Sequence, residues 1–194
     1  MKLYLFALSA EMLPEDAGRI LCRAADEAHA ARYRAHPEMP GACQSLAAHV
    51  LLRYAGAKVQ GIPMKQTSVA YLPSGQPVLP GSGLYCSVTH TEGLCLCAVA
   101  DVPVGVDAEK IRPAPMRAAQ RIFTDKEQTL LSQADEQDRD RIFFELWTRH
   151  ESVVKLTGRG LRDIRAAVPD TIRTRLIRFR DDYAVSVSVF TELT

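Results

Sequence analysis

"LYCSVTHTEGLCLCAVADVPVGVDAE", residues 84–109, decides the fold. Two apolar runs, 84–90 and 94–100, flank Thr91-Glu92-Gly93, which is the pattern of two strands joined by a tight hairpin turn. A third short run, 104–109, follows at once. Strand alternation sends Val104, Val106 and Ala108 to one face and Gly105, Asp107 and Glu109 to the other. Upstream, residues 2–8 alternate as a strand and 14–35 are alanine-rich and helical until prolines break them. "CQSLAAHVLLRYAG" (43–56) is an amphipathic helix closed by Gly56, and 61–83 reads as loops with short extended pieces. Downstream, helices are predicted at about 115–122, from "FTDKE" (123–127) onward, and at 136–157, the last ended by "GRGL" (158–161). Two strands, "RTRLIRF" (173–179) and "YAVSVSVF" (183–190), close the tail. Strands and helices alternate without a strict βαβ rhythm, so the class is α+β. The expected division is an N-terminal subdomain 1–102 and a C-terminal subdomain 103–194 that carries the acidic residues. No internal repeat shows in the sequence, so the halves would be alike in shape only.

The totals narrow the function. A hydrophobic content of 47% is ample for a core. A net charge of +1 gives no global reason to expect nucleic acid, so any anion site must be local. Five cysteines form no C-x-x-C pair, which argues against a disulfide framework or a structural zinc site. Cys95 and Cys97 alternate with leucines and read as small core hydrophobes. "MKLYLFALSAE" has too short an apolar run for a signal peptide and reads as a first strand. No run approaches the ~20 apolar residues of a membrane span. The expectation is a cytoplasmic protein with no membrane and no nucleic-acid partner.

The chemistry concentrates on two elements. Asp107 and Glu109 lie on one face of a strand, roughly 6.6–7 Å apart at Cα, close enough to share a hard cation. Acids at a strand end are equally common without an ion. On the helix 136–157, Trp147, Glu151 and Lys155 follow at i, i+4, i+8 along one stripe. Alone, Glu before Lys at this spacing is an ordinary ion pair. Joined to Asp107 and Glu109, Glu151 would complete a magnesium site and Lys155 would reach a phosphate oxygen. Thr124 and Glu127 fit a capping box, a reading that ranks above a metal role for Glu127. Thr89 and His90 end a strand, a place where a histidine is more often a satisfied polar edge than a catalyst, and where it could also donate to a phosphate.

In order, "TH" at a strand end, "GVDAE", "FTDKE", "WTRHESVVK" and "GRGL" resemble the motifs of the 4′-phosphopantetheinyl transferases, specifically the monomeric type that activates surfactin synthetase. The resemblance spans roughly residues 71–161. It implies two α+β subdomains in pseudo-twofold arrangement with coenzyme A bound in a cleft between them. It implies an enzyme of the holo-[acyl-carrier-protein] synthase type. Such an enzyme moves the phosphopantetheine arm from coenzyme A to a serine of an acyl or peptidyl carrier protein and releases 3′,5′-ADP. The metal carboxylates carry over onto Asp107, Glu109 and Glu151, with Mg²⁺ as the ion. The catalytic pair is Glu151 and Lys155. Coenzyme A contacts carry over onto Thr89, His90 and Lys155. The family's basic clamp falls on Gln44 and Gln76 here, and its usual lysine falls on His150. Arg32, Arg34, Arg53 and Lys65 are the cations available to replace the clamp. The alternative is a non-catalytic relative that binds a carrier or a nucleotide. A magnesium nuclease is opposed by the lack of a basic stripe. Carrier docking is expected along "KIRPAPMRAAQRIF" (110–123), through Arg112, Arg117 and Arg121 with Met116 and Ile122. His150 is expected at the cleft rim, facing solvent or a phosphate.

Overall fold

A computed structural model describes residues 1–158 and 168–191 of the chain. Two units separate by their contacts, Met1–Val102 and Pro103–Thr194. The first contains β1 (Leu3–Ser9), α1 (Ala17–Ala24), α2 (Glu27–Ala35), α3 (Ala42–Gln60), β2 (Ala70–Tyr71), β3 (Pro77–Val78), β4 (Tyr85–Thr91) and β5 (Leu94–Ala100). β4 and β5 form the expected hairpin, turned by Gly93 at φ 78. β1 adds to the far edge of β5, giving an antiparallel sheet of order β1-β5-β4. All seven residues of β5 are buried, which is why "LCLCAVA" is apolar without alternation. Cys95, Cys97 and Val99 pack in one core with Leu51, Leu52 and Ala55 of α3. All five cysteines are free, and burial pushes the Cys86 and Cys95 thiols up to about 12.

Two helix expectations change. Residues 14–35 are not one helix: α1 ends at Ala24, and Asp26 restarts the chain as the cap of α2, its side chain accepting the His29 N–H at 2.9 Å. Alanine-rich composition hides such a break, because neither side of it lacks helix formers. α3 does not end at Gly56. It runs to Gln60, and Gly61 at φ 69 terminates it. Gly56 is required by packing, since a Cβ there would lie 2.9 Å from Leu79 Cδ2.

The second unit contains β6 (Val104–Lys110), α4 (Met116–Ile122), α5 (Asp125–Gln133), α6 (Glu136–Thr157), β7 (Ile172–Leu176) and β8 (Tyr183–Phe190). Its sheet is antiparallel, of order β6-β8-β7. In each unit a first strand leads through helices to an antiparallel hairpin whose last strand takes the centre of the sheet. The fold is α+β, and the two units share a strand order without sharing a sequence pattern.

The Gly105 face of β6 receives α6. A Cβ on Gly105 would lie 2.0 Å from the Ser152 carbonyl oxygen and 2.6 Å from the Leu156 nitrogen. Gly105 therefore serves backbone approach rather than room for a ligand. Beside it the helix meets the sheet through hydroxyls: Thr148 Oγ1 bonds Ser186 Oγ at 2.9 Å and Ser152 Oγ bonds Ser188 Oγ at 2.8 Å. Thr174 extends the chain to Ser188 at 2.7 Å. Small hydroxyls permit a close approach, and paired they avoid the cost of burying a lone polar group. A second stripe of α6 packs Phe143, Phe144 and Trp147 against Phe123 at the end of α4. Phe123 and Phe143 are fully buried, each contributing about 2 kcal/mol by burial. The capping box of α5 forms as expected, with Thr124 and Glu127 bonded reciprocally.

Candidate active site

The predicted acids lie on β6 and α6, which pack against each other at Gly105. Asp107 is buried at 4% exposure. Its Oδ1 accepts from Lys155 Nζ at 2.7 Å, across from strand to helix. Lys155, expected at a phosphate, holds a carboxylate in this structure. Glu109, one strand repeat further, accepts from Arg112 at 3.2 Å, and the Arg112 guanidinium lies over the Phe144 ring. Glu151 stands one helical turn before Lys155. Burial raises its carboxyl pKa above the ordinary 4.5, as do the nearby charges of Asp107 and Glu109, while Lys155 and His150 oppose the shift. The charges of Asp107 and Glu109 thus act on Glu151. The three carboxylates do not form a group with ligand atoms drawn within 4.8 Å. Oxygen donors on a strand and a facing helix fit a hard ion such as Mg²⁺, which keeps several waters and needs few protein ligands.

His150 is not at a rim. It is buried at 2% exposure, and its Nε2 lies 3.0 Å from both Glu127 oxygens. Its ring also meets Phe123, with centroids 5.8 Å apart. The expectation of a solvent-facing or phosphate-binding imidazole is overturned. A helical step of ~100° from Glu151 turns position 150 toward α5, not toward water. Burial raises the Glu127 pKa, but bonds from His150 and from the Thr124 backbone, with the His150 charge, outweigh it and hold the carboxyl at about 2. Glu127 is both helix cap and partner of His150.

The remaining predicted residues lie in the first unit. Thr89 is buried and His90 exposed on β4. His90 lines a hollow of about 320 Å³ together with His29, Arg32, Tyr33 and His36. Gln44 opens α3, where its carbonyl accepts from the Cys95 thiol at 3.4 Å. Gln76 sits in the loop before β3, with Ser74 Oγ donating to its Oε1 at 3.1 Å. Among the cations offered in place of the clamp, Arg53 is committed elsewhere: it donates to the carbonyls of Ala24, Met64 and Thr67. Arg34 pairs with Glu27 on the surface. Arg32 alone of the four lines the hollow.

Sequence reading passed over one cluster. Asp26, His29 and His49 hold ligand atoms within 4.8 Å of one another. The available signals were weak: an Asp-x-x-His at a helix start, and a histidine on the apolar face of "LAAHVLL". Burial, with the His29 and Arg53 charges, lowers the His49 pKa to about 4 against the opposing pull of Asp26.

Residues 103–192 match the family model of the 4′-phosphopantetheinyl transferase superfamily. The chain is 34% identical over 120 residues to 4′-phosphopantetheinyl transferase psf-1 of Bacillus pumilus, covering 61% of this chain and 51% of that protein. It is 28% identical over 147 residues to a 4′-phosphopantetheinyl transferase of Bacillus subtilis, covering 75% of this chain and 62% of that one. It is 32% identical over 126 residues to 4′-phosphopantetheinyl transferase HetI of Nostoc, covering 60% and 53% respectively. The chain therefore spans about half the length of the curated relatives it matches. These matches bear out the resemblance read from the motifs. Among the described residues, no helix is long and apolar enough to cross a membrane.

Proposed function

We propose that this chain, whose residues 103–192 carry the 4′-phosphopantetheinyl transferase family match, moves the phosphopantetheine arm of coenzyme A to a carrier-protein serine and releases 3′,5′-ADP. What supports the reading is the Lys155–Asp107 pair at 2.7 Å across α6 and β6, with Glu109 and Glu151 on the same two elements. Asp107, Glu109 and Glu151 would hold Mg²⁺, which when bound neutralises pyrophosphate charge. Phosphoryl transfer needs positioning and charge stabilisation more than covalent help. Glu151 takes the serine proton, directly or through water, as the serine oxygen bonds to phosphorus and the anhydride oxygen departs. Lys155 donates to a phosphate oxygen as negative charge builds on the leaving ADP part. Arg32, His29, His36 and His90 around their hollow support the binding of a coenzyme A phosphate without the family's clamp.

The test is mass spectrometry of several apo-carrier proteins incubated with the chain, Mg²⁺ and coenzyme A. A gain equal to the phosphopantetheine arm on one of them, absent without Mg²⁺, is expected. No gain on any carrier, with coenzyme A still bound in calorimetry, would leave the non-catalytic reading standing instead.

A further inference from the structure

One histidine of the hollow beside His90 is gripped at its edge and on its face. We propose that Asp26 is a positioning residue for coenzyme A binding: together with His49 it locks the His29 imidazole so that Nε2 is offered to a coenzyme A phosphate. The inference rests on the transferase reading of that hollow and says how one of its donors is set. Asp26 Oδ1 accepts from the His29 backbone N–H at 2.9 Å and lies 2.8 Å from His29 Nδ1. An ionised carboxylate only accepts, so the bonding proton sits on Nδ1. Burial raises the Asp26 carboxyl pKa, but bonds from the His29 backbone and ring, with the His49 and His29 charges, outweigh it and hold the group below its ordinary 3.8. With Nδ1 committed, Nε2 is the nitrogen left for a ligand. Capping α2 accounts for the backbone bond of Asp26 but not for its bond to the ring.

The face of the ring is fixed from α3. His49, buried at 2% exposure, stacks on it with centroids 3.5 Å apart and planes 8° from parallel. His49 is itself held, its Nδ1 3.0 Å from the Tyr71 hydroxyl and its Nε2 2.9 Å from Asp26 Oδ2. Burial, with the His29 and Arg53 charges, keeps His49 at about 4 against the pull of Asp26, so at neutral pH it is an uncharged ring that does not repel a charged neighbour. That matters because Nε2 of His29 donates only as imidazolium, Nδ1 already holding the other proton. An ionised donor makes the stronger bond to phosphate. The His29 side chain is 26% exposed, yet its orientation is set before any ligand arrives, which lowers the entropy lost on binding.

A double-mutant cycle on coenzyme A affinity tests the inference, by calorimetry on the full chain in saturating Mg²⁺ without carrier. His29→Ala should raise the Kd for coenzyme A about tenfold. Asp26→Ser keeps a good helix cap, but its shorter side chain bonds the backbone N–H and not the ring. It should raise Kd at least about fivefold in the wild-type background and less than about twofold in the His29→Ala background. A mere loosening of α2 would weaken binding in both backgrounds, since Arg32 of α2 and His36 just after it line the same hollow. The proposal is overturned if Asp26→Ser weakens binding equally in both backgrounds, or if either single variant binds coenzyme A as tightly as the wild type. Failure of the wild type to bind coenzyme A at all would sink the transferase reading itself, and this inference with it.

Discussion

His150→Ala removes a buried imidazole whose work is done on Glu127 rather than on substrate. Glu127 is held at about 2 against an ordinary 4.5, a difference worth about 3 kcal/mol of folding stability. Its side chain is only 14% exposed, so water screens little of that interaction. A depressed carboxyl pKa stabilises above the unfolded value. That contribution is whole above pH ~4.5 and fades as pH falls toward about 2. Removing His150 takes away the side-chain bond and the neighbouring charge, and leaves the Thr124 backbone bond in place. It also opens a void against Phe123. The expected loss at pH 7 is about 3 kcal/mol, near the low end for breaking a buried pair. Urea unfolding at pH 7, 4 and 3 measures it. The gap between wild type and variant should narrow as acid protonates Glu127, leaving the cost of the void against Phe123. His150→Lys restores a donor at this position and should lose less than half as much. A loss below about 1 kcal/mol in His150→Ala, or parallel acid profiles in the two proteins, would refute the assignment of His150 to Glu127.

Asp107→Ala and Glu151→Ala should each abolish carrier modification while unfolding remains cooperative, and activity within tenfold of wild type would sink the cation assignment. Gly105→Ala forces a methyl into the Ser152 carbonyl, so it should cost about 3 kcal/mol or more and lower Tm by several degrees in calorimetry. Carrier docking along α4 is best tested with Arg117→Glu and Arg121→Glu, because Arg112 is engaged by Glu109 and Phe144. Both arginines are exposed, whereas Ile122 packs into the core. The double reversal should raise KM for the carrier and leave KM for coenzyme A unchanged, and an unchanged carrier KM would rule out this face.

Strands were legible wherever burial wrote a pattern into them. β4, β5, β6 and β8 all lie where alternation or a continuous apolar run put them, because side-chain period reports faces directly. The acidic residues were legible for the same reason: Asp107 and Glu109 share a face by strand geometry, and Glu151 and Lys155 share one by helix geometry. The misplaced features depend on neighbours distant in sequence. Gly56 looks like a helix terminus until Leu79 lies over it. His150 looks solvent-facing until α5 supplies Glu127 at 3.0 Å. The Asp26–His29–His49 cluster needs α2 and α3 side by side, and no local pattern announces that. The turn at Arg159–Leu161 lies outside the described residues, though Gly158 ends α6 at φ 68 as the "GRGL" motif implied.

The approach of α6 to β6 links fold to chemistry through a single missing methyl group. Helix and strand meet closely because Gly105 has no Cβ and because Thr148, Ser152, Ser186 and Ser188 are small and mutually bonded. A larger residue at 105 would push the helix off the strand by an ångström or more, since backbone atoms rather than a movable side chain occupy the space. Lys155 reaches Asp107 at 2.7 Å from that same helix, only three residues beyond Ser152. Separation would leave Asp107 buried with a weakened partner and carry Glu151 away from Asp107 and Glu109. The glycine of "GVDAE" and the hydroxyls of "WTRHES" therefore belong to the acidic group as much as its carboxylates do, because they set how closely Glu151 and Lys155 of α6 stand to Asp107 of β6.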